Sequence, residues 1–571
     1  METKNALAIR SKKNSYICLN SLQMRTLKLF FVVLVLLINS IAVYCQVSSK
    51  ERDYTITYTD STISLLFDMP VSVRALNEKV NAEIPLELIS SKQNRYVINN
   101  PSPGTIIKLE YSNLNARNSA ITTSYVATAS LSTGVINVYF NHPVNTTFSQ
   151  GTDAVNVGNA LDDMLISYIN ACTTSLDIAI YNSASPNASS GIAGAINAAF
   201  TRGVQVRVIY DGSTSSNMIP LLNSAIPRLA SPNNSSYGIM HNKFVIFDAN
   251  STDVNKPVVW TGSTNWTVAQ IDGPDKNNAI VIQDQSLALG YTLEFEEMWG
   301  STTATPNLTA SKFGPYKTDN TPHTYNINGT IVNSYFSPSD GTTAKIIDAI
   351  QSAASDIAIA AMLITRADIS AALINKYTTG ITATHLVMDT QNPQGNQKGA
   401  LQAGISMSQV RTDTSSGVMH HKFMVVDNFN STSDPLVLLG SHNWSASAEN
   451  RNDENTLIVH DLNIANQYYQ AFAYLYELTG GVLTSDGFNL SNDTLTVYPN
   501  PSNGVYRFQA NNNAVSAVEV RVYNVLGNRI YSKYFSNLFD ASIDLTNEAS
   551  GLYMISVSSS IGVSYFNVVK Q

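Results

Sequence analysis

The period of hydrophobic and polar positions changes several times along this chain, and the changes divide it. Residues 52–130 alternate in short runs (YTITYT, ISLLFDM, RYVIN, TIIKLEY, TTSYVATA) punctuated by Pro70, Pro85, Pro101, Pro103 and Gly104. Period-two runs between turn residues predict a small β-sandwich over 46–130, a spacer or binding module with no visible catalytic cluster. From residue 134 strands alternate with helical spacing, and the block occurs twice. The first copy (134–300) runs GVINVYFNHP, a helix ALDDMLISYINAC at 160–172, a strand SLDIAIYN at 175–182, a helix around 191–202 and a strand VQVRVIYD at 204–211. The second (331–481) runs TIVNSYFSPSD, AKIIDAIQSAA at 344–354, SDIAIAAML at 355–363, a helix around 367–377 and TATHLVMD at 382–389. Repeated strand–helix–strand units with continuously apolar strands predict largely parallel sheets covered by helices. The polar stretch 301–330 reads as a linker. After Gly480–Gly481 the pattern returns to short β runs, a second sandwich over 490–571.

At the amino terminus the apolar run LFFVVLVLLI at 29–38 follows Arg25 and Lys28 and precedes Asn39, Ser40 and Ala42. A basic flank, a short apolar core and smaller residues predict a signal peptide over 1–45, cleaved near Cys45–Gln46, with Met24 a candidate start. A spanning helix needs about 20 apolar residues, and no other segment is apolar enough, so no stable membrane insertion is expected. Charged residues are 13% of the 571, about half the roughly 25% of ordinary soluble proteins. Such a surface, rich in Ser, Thr, Asn and Gln, suits an exported protein. Removal of 1–45 takes away six basic residues and one acidic residue and moves the formal charge from −8 to −13. That balance argues against a nucleic-acid scaffold, which needs clustered Lys and Arg. Of three cysteines only Cys172 remains after cleavage, so no intramolecular disulfide is expected.

The chemistry lies in the second half of each copy. MHNKFVIFD places His241, Lys243 and Asp248 at the spacing H-x-K-x4-D, and MHHKFMVVD places His420, Lys422 and Asp427 at the same spacing. GSTNW follows the first, with Ser263 and Asn265, and GSHNW the second, with Ser441 and Asn443. In a strand, residues i and i+2 share a face, so each His and Lys point into one site while Phe, Val and Ile fill the core. Two such copies facing each other bring together two imidazoles, suited to nucleophile and general acid, and two ammoniums with amides, suited to phosphate oxygens. His421 and His442 occupy x positions, and the spacings supply no zinc ligand set; no metal and no cofactor are expected. Glu454 follows the second GSxN at a place where it can orient a histidine. Asn277 aligns with it in the first copy, so the two histidines are expected to differ electronically.

The duplicated H-x-K-x4-D and GSxN resemble the signature of the phospholipase D superfamily, over about 134–480. The resemblance implies an α/β fold: two tandem phospholipase D-like α/β/α sandwich repeats forming one pseudo-symmetric unit, flanked by the N-terminal β domain and the C-terminal β-sandwich. It implies that His241, Lys243, Asp248, His420, Lys422 and Asp427 form the catalytic motifs. His241 would be the nucleophile, forming a phosphohistidine, and His420 the general acid and then base; the reverse order stays open. Lys243, Lys422, Asn265 and Asn443 would bind phosphoryl oxygens, with Ser263, Ser441 and Glu454 close by, and the two aspartates would be structural.

YPNPSNG with Tyr498 to Gly504, then Tyr523, Asn524 and Gly527, then Gly551-Leu552-Tyr553, resembles the C-terminal sorting domain of type IX secretion. That implies the type IX machinery as a partner and a secreted or cell-surface location, with the sorting domain either removed or used for attachment. The expected activity is a secreted phosphodiester hydrolase cleaving a phospholipid headgroup ester, acting as a monomer. A secreted metal-independent endonuclease, acting on DNA or RNA, and a catalytically silent surface adhesin are the alternatives. The GSxNWxxxA wording of the second copy favours the former of these, and the acidic balance opposes it.

Overall fold

In a computed structural model of the chain, the described residues are 47–59, 61–116, 119–183, 186–483, 495–510, 516–524, 529–537, 541–559 and 562–571. Residues 1–45, expected as a signal peptide, and with them Cys45, lie outside them. No helix among the described residues is long and apolar enough to cross a membrane.

The chain divides into two compact units. The first comprises residues 47–74, 84–101 and 111–120 of the described chain. It carries an antiparallel five-stranded sheet in the order Val47–Lys50, Tyr54–Tyr58, Thr62–Phe67, Arg95–Asn99, Glu87–Ser90. Alternate positions of Tyr54–Tyr58 are buried, and an aromatic cluster holds this unit. Phe67 lies 5.1 Å from Tyr54, 5.1 Å from Tyr111 and 5.9 Å from Tyr96, centroid to centroid.

The second unit holds both repeats, and each repeat builds an eight-stranded sheet. The first is ordered Val155–Asn156, Ile136–Phe140, Asn278–Gln283, Val258–Gly262, Lys243–Phe247, Ser175–Ile180, Gln205–Tyr210, Arg228–Ala230. The second is ordered Thr324–Ile327, Thr330–Ser337, Glu454–His460, Leu436–Gly440, Lys422–Val426, Asp356–Ala361, Ala383–Asp389, Val410–Asp413. The sheets are mixed, which corrects the largely parallel expectation. In the first, Ser175–Ile180, Gln205–Tyr210 and Arg228–Ala230 are parallel, but the motif strand and its neighbours pair antiparallel; the second sheet does the same. The strand–helix–strand rhythm covers only the first half of each copy. In the second half the chain turns back beside the strand it has just left, and such a return is antiparallel.

The stretch 301–330, expected as a linker, carries structure of its own. It contains a 3-10 turn Gly314–Tyr316 and the edge strand Thr324–Ile327, and buries Phe313, Lys317 and Thr321.

One continuous apolar core lies between the repeats, and each repeat has a separate outer core. The central core is crossed. Tyr291, on the helix Gln285–Trp299 that ends the first repeat, packs 5.0 Å from Phe336 of the second. Tyr468, on the helix Leu462–Leu478 that ends the second, packs 5.2 Å from Phe140 of the first. At the carboxyl end a three-stranded and a four-stranded sheet share a core of Tyr506, Phe508, Val520, Val522, Ile543, Ile555 and Val557.

Candidate active site

The motif strands Lys243–Phe247 and Lys422–Val426 are buried along their whole length, as central strands covered on both faces must be. Each motif histidine stands just before its strand and each lysine at its first residue. Lys243 Nζ donates to the carbonyl of His241 at 2.7 Å, and Lys422 Nζ to that of His420 at 2.7 Å. Each lysine thus folds back on the backbone of its own motif histidine. Tyr181 lies over the first pair, its ring 4.7 Å from that of His241 and 5.1 Å from Lys243 Nζ. Met362 takes the corresponding place beside Lys422, with Sδ 3.8 Å from Nζ.

The two copies meet through short parallel bridges, Met240 with Asp453 and Lys276 with Met419. The His241 N–H donates to the Asp453 carbonyl at 2.9 Å, and the His420 N–H to the Lys276 carbonyl at 3.0 Å. The side chains cross in the same way. His241 Nδ1 lies 2.7 Å from Glu454 Oε2, and His420 Nδ1 lies 2.9 Å from Asn277 Oδ1. An ionised carboxylate and an amide oxygen can only accept, so both rings donate through Nδ1, and a neutral ring keeps its lone pair on Nε2. Ser441 Oγ donates to Glu454 Oε2 at 2.7 Å and Ser263 Oγ to Asn277 Oδ1 at 3.0 Å, so each GSxN serine holds the group that orients the other copy's histidine. The preceding glycines are required by contact. Gly262 and Gly440 both have φ 149°, and an added Cβ would fall 2.3 Å from the Asn278 carbonyl oxygen and 2.2 Å from that of Asn455. Asn265 Oδ1 and Asn443 Oδ1 are buried without a hydrogen-bond partner, which suits them to a donor brought by a ligand or water.

His241, Lys243, His420 and Lys422 are 5%, 3%, 6% and 2% exposed. Burial, reinforced by both lysines, holds both imidazoles well below the usual histidine value. Burial lowers the Lys243 ammonium to about 7 and, together with Lys243, holds Lys422 well below its ordinary value. Glu454 is pushed up to about 6 by burial, against the pull of Lys243. Two lysine amines thus share a desolvated site with one carboxylate in contact with a motif histidine. An anion bound there would favour the charged form of both lysines and both histidines.

The two motif aspartates, grouped with the catalytic motifs but expected to be structural, do not join this cluster. Each stands past the far end of its motif strand, some 17 Å from the lysine end at about 3.3 Å per residue. Asp248 accepts the N–H groups of Thr173, Thr174 and Ser175; Asp427 accepts those of Ala354, Ser355 and Asp356. Both have positive φ, 52° and 56°, and both pin the turn that enters the neighbouring strand.

Three further sets of residues adjoin the site, and apart from His421 none was singled out from the sequence. Asp211 and Asp389 accept, at 2.8 Å each, the N–H of Met240 and Met419, the residues just before the histidines. The shared terminal Asp of VIYD and LVMD was the available signal. Asn141 Oδ1 accepts the Asn277 N–H at 2.7 Å. Behind His420, His421 Nε2 lies 2.7 Å from His142 Nε2, and its Nδ1 lies 2.8 Å from Asn278 Nδ2. His142 Nδ1 faces the Pro143 carbonyl at 2.8 Å, so the chain closes with both rings neutral: His142 carries Nδ1–H and His421 carries Nε2–H. Burial holds both below the usual histidine value, His142 to about 4.

A family model described as "Cardiolipin synthase, PLD-like domain" matches residues 165–299 and 346–476, and one described as "Secretion system C-terminal sorting domain" matches 496–571. A protein named mitochondrial cardiolipin hydrolase, from Xenopus tropicalis, is 43% identical over 90 residues, 16% of this chain and 39% of the relative. A protein named phospholipase D, from Rickettsia prowazekii, is 28% identical over 139 residues, 24% of this chain and 64% of the relative. The chain thus spans less than two thirds of either. Among solved structures, the phospholipase D family member Nuc from Salmonella typhimurium aligns with 29% of this chain and 94% of its own, at 25% identity and a TM-score of 0.23.

Proposed function

We propose that this chain, whose two α/β repeats belong to the phospholipase D superfamily and which ends in a secretion system C-terminal sorting domain, is an exported phosphodiester hydrolase. One observation carries the reading: each motif histidine has its Nδ1 held by an oxygen of the other repeat, beside two buried lysines. Held in that way, each imidazole offers Nε2 to a substrate. His241, backed by the Glu454 carboxylate, is the more basic of the two and takes the role of nucleophile. Its Nε2 attacks phosphorus, the bond to the leaving oxygen breaks, and the His420 imidazolium gives that oxygen its proton. Neutral His420 then takes a proton from water, whose oxygen attacks phosphorus and releases His241. Lys243, Lys422, Asn265 and Asn443 are assigned to the non-bridging oxygens, where charge builds in the transition state. Ser263 and Ser441 hold Asn277 and Glu454. The phosphodiester anion between the lysines raises His420 toward the protonated form that the first step needs.

The substrate class we assign is a phospholipid, cleaved at the headgroup ester to leave phosphatidic acid and an alcohol. The names of the relatives support this class, and the net charge of −13 expected after loss of 1–45 does not favour a polyanion. The match over 496–571 supports a secreted or cell-surface location. Because one chain supplies both motifs, a monomer suffices. The test is incubation of the purified protein with phosphatidylcholine vesicles and, separately, with plasmid DNA, each in EDTA. Choline release without nicking is expected. Nicking alone would replace the lipase with a nuclease on the same chemistry, and neither would leave a catalytically silent adhesin.

A further inference from the structure

The stretch between the repeats reaches the site through one buried charge. Lys317 is wholly buried, its side chain 0% exposed, and its ammonium is bonded to Glu294 of the first repeat. It also lies 3.4 Å from Asp453 Oδ1 of the second repeat, and the Gly314 N–H donates to the same oxygen at 2.7 Å. The side chains of Glu294 and Asp453 are 1% and 3% exposed. A lysine with no access to water is retained only where carboxylates compensate it, and removing one partner of such a set leaves an uncompensated buried charge.

Asp453 is also the backbone partner of His241. Its N–H donates to the Ile239 carbonyl at 3.0 Å, and its carbonyl accepts the His241 N–H at 2.9 Å. The next residue, Glu454, takes His241 Nδ1. Both groups that hold this histidine, one on its backbone and one on its ring, thus belong to consecutive residues, and the first is clamped from the side by Lys317. The other histidine is held differently. His420 hangs on Lys276 and Asn277, and the Lys276 ammonium is taken by Asp413 at 3.0 Å, Ser415 Oγ at 2.8 Å and the Ser416 carbonyl at 3.2 Å. That clamp closes between the repeats alone. Only the clamp under His241 runs through the intervening stretch.

We propose that Lys317 is a positioning residue for His241: by tying Glu294 to Asp453 it sets the backbone from which Glu454 orients the imidazole. The inference deepens the hydrolase reading and rests on it for its effect on turnover. Its structural part can be read without substrate.

The test uses the full chain with histidines labelled at Cε1. There are eight, few enough for each resonance to be assigned by substitution. In Lys317→Met the His241 titration midpoint is expected to move. On bis(p-nitrophenyl) phosphate, kcat is expected to fall tenfold or more with KM within twofold of wild type. Lys317→Arg, which keeps the charge, should recover part of the loss. Should Lys317→Met fail to fold, Asp453→Asn keeps the Gly314 acceptor and the side-chain shape, and a smaller change in the same direction is expected. A folded variant with unchanged His241 titration, kcat and pH profile would overturn the proposal, whatever its melting temperature. If wild type hydrolyses no phosphodiester, the hydrolase reading fails instead, and the His241 titration still decides the positioning.

Discussion

Glu454 Oε2 lies 2.7 Å from His241 Nδ1, and the two residues belong to different repeats. At the equivalent place across the pseudo-twofold, an amide oxygen of Asn277 faces His420. A carboxylate favours the imidazolium and an amide does so far less, so the two histidines start from unequal basicity.

Glu454→Gln should preserve the geometry and remove the charge. A fall in kcat of about 10²-fold or more is expected, because the tautomer and basicity of a paired imidazole depend on that carboxylate. Asn277→Asp should raise the basicity of His420 and move the pH limb due to His420 to higher pH. Steady-state pH profiles of both variants check this, and equal effects of the two substitutions would speak against divided roles.

His241→Ala and His420→Ala should each lower turnover on a natural diester by about 10³-fold or more. A p-nitrophenyl ester separates them, because its leaving group needs no proton. His420→Ala should still release a burst of one nitrophenol per site, whereas His241→Ala should give none. The opposite pattern would exchange the two roles.

The lysines predict a pH dependence of definite sign. The ammonium binds the substrate anion, and Lys243 is lowered to about 7 in the free protein, mainly by burial. It is charged below that value and loses its charge above it, so kcat/KM should decline as pH rises past about 7. Bound anion stabilises the ammonium, so the corresponding limb in kcat should lie at higher pH. The two lysines titrate as a pair, and the measured limb belongs to both. Lys243→Met and Lys422→Met should each reduce kcat/KM by about 10²–10³-fold.

Asp248 should matter to stability and not to chemistry. Its carboxylate, held below its usual range by N–H groups of residues 173–175 against the effect of burial, stabilises the fold above the unfolded value of about 3.9. That contribution is lost as pH falls through the folded value. Asp248→Ala should cost about 2–4 kcal/mol, read by urea denaturation, while turnover per folded molecule stays within a few-fold of wild type. A proportionate loss of kcat in the folded variant would return this residue to the site.

Much of this site was legible because its chemistry is periodic. The spacing of His241 with Lys243, repeated at His420 and Lys422, marked the motif residues, and the alignment of Asn277 with Glu454 marked the two orienting groups. What the linear pattern could not carry is the crossing. Nothing local says that Glu454 serves the histidine of the other copy, because that pairing is made by packing between sheets. The mixed character of the sheets was missed because apolar runs look alike in parallel and antiparallel sheets. Lys317 was passed over because a polar stretch reads as solvent-exposed until a buried carboxylate is found beside it.

The crossed packing of Tyr291 on Phe336 and of Tyr468 on Phe140 bears on how such a chain can change over generations. Each copy keeps in its own sequence the parts that complete its twin. A change at 277 is felt at 420, one at 454 at 241, one at 336 at 291, and one at 140 at 468. The duplicated halves are therefore tied at four pairs of positions and are not two independent units in tandem. A recombination that swapped in a single foreign half would have to match all of those pairs at once.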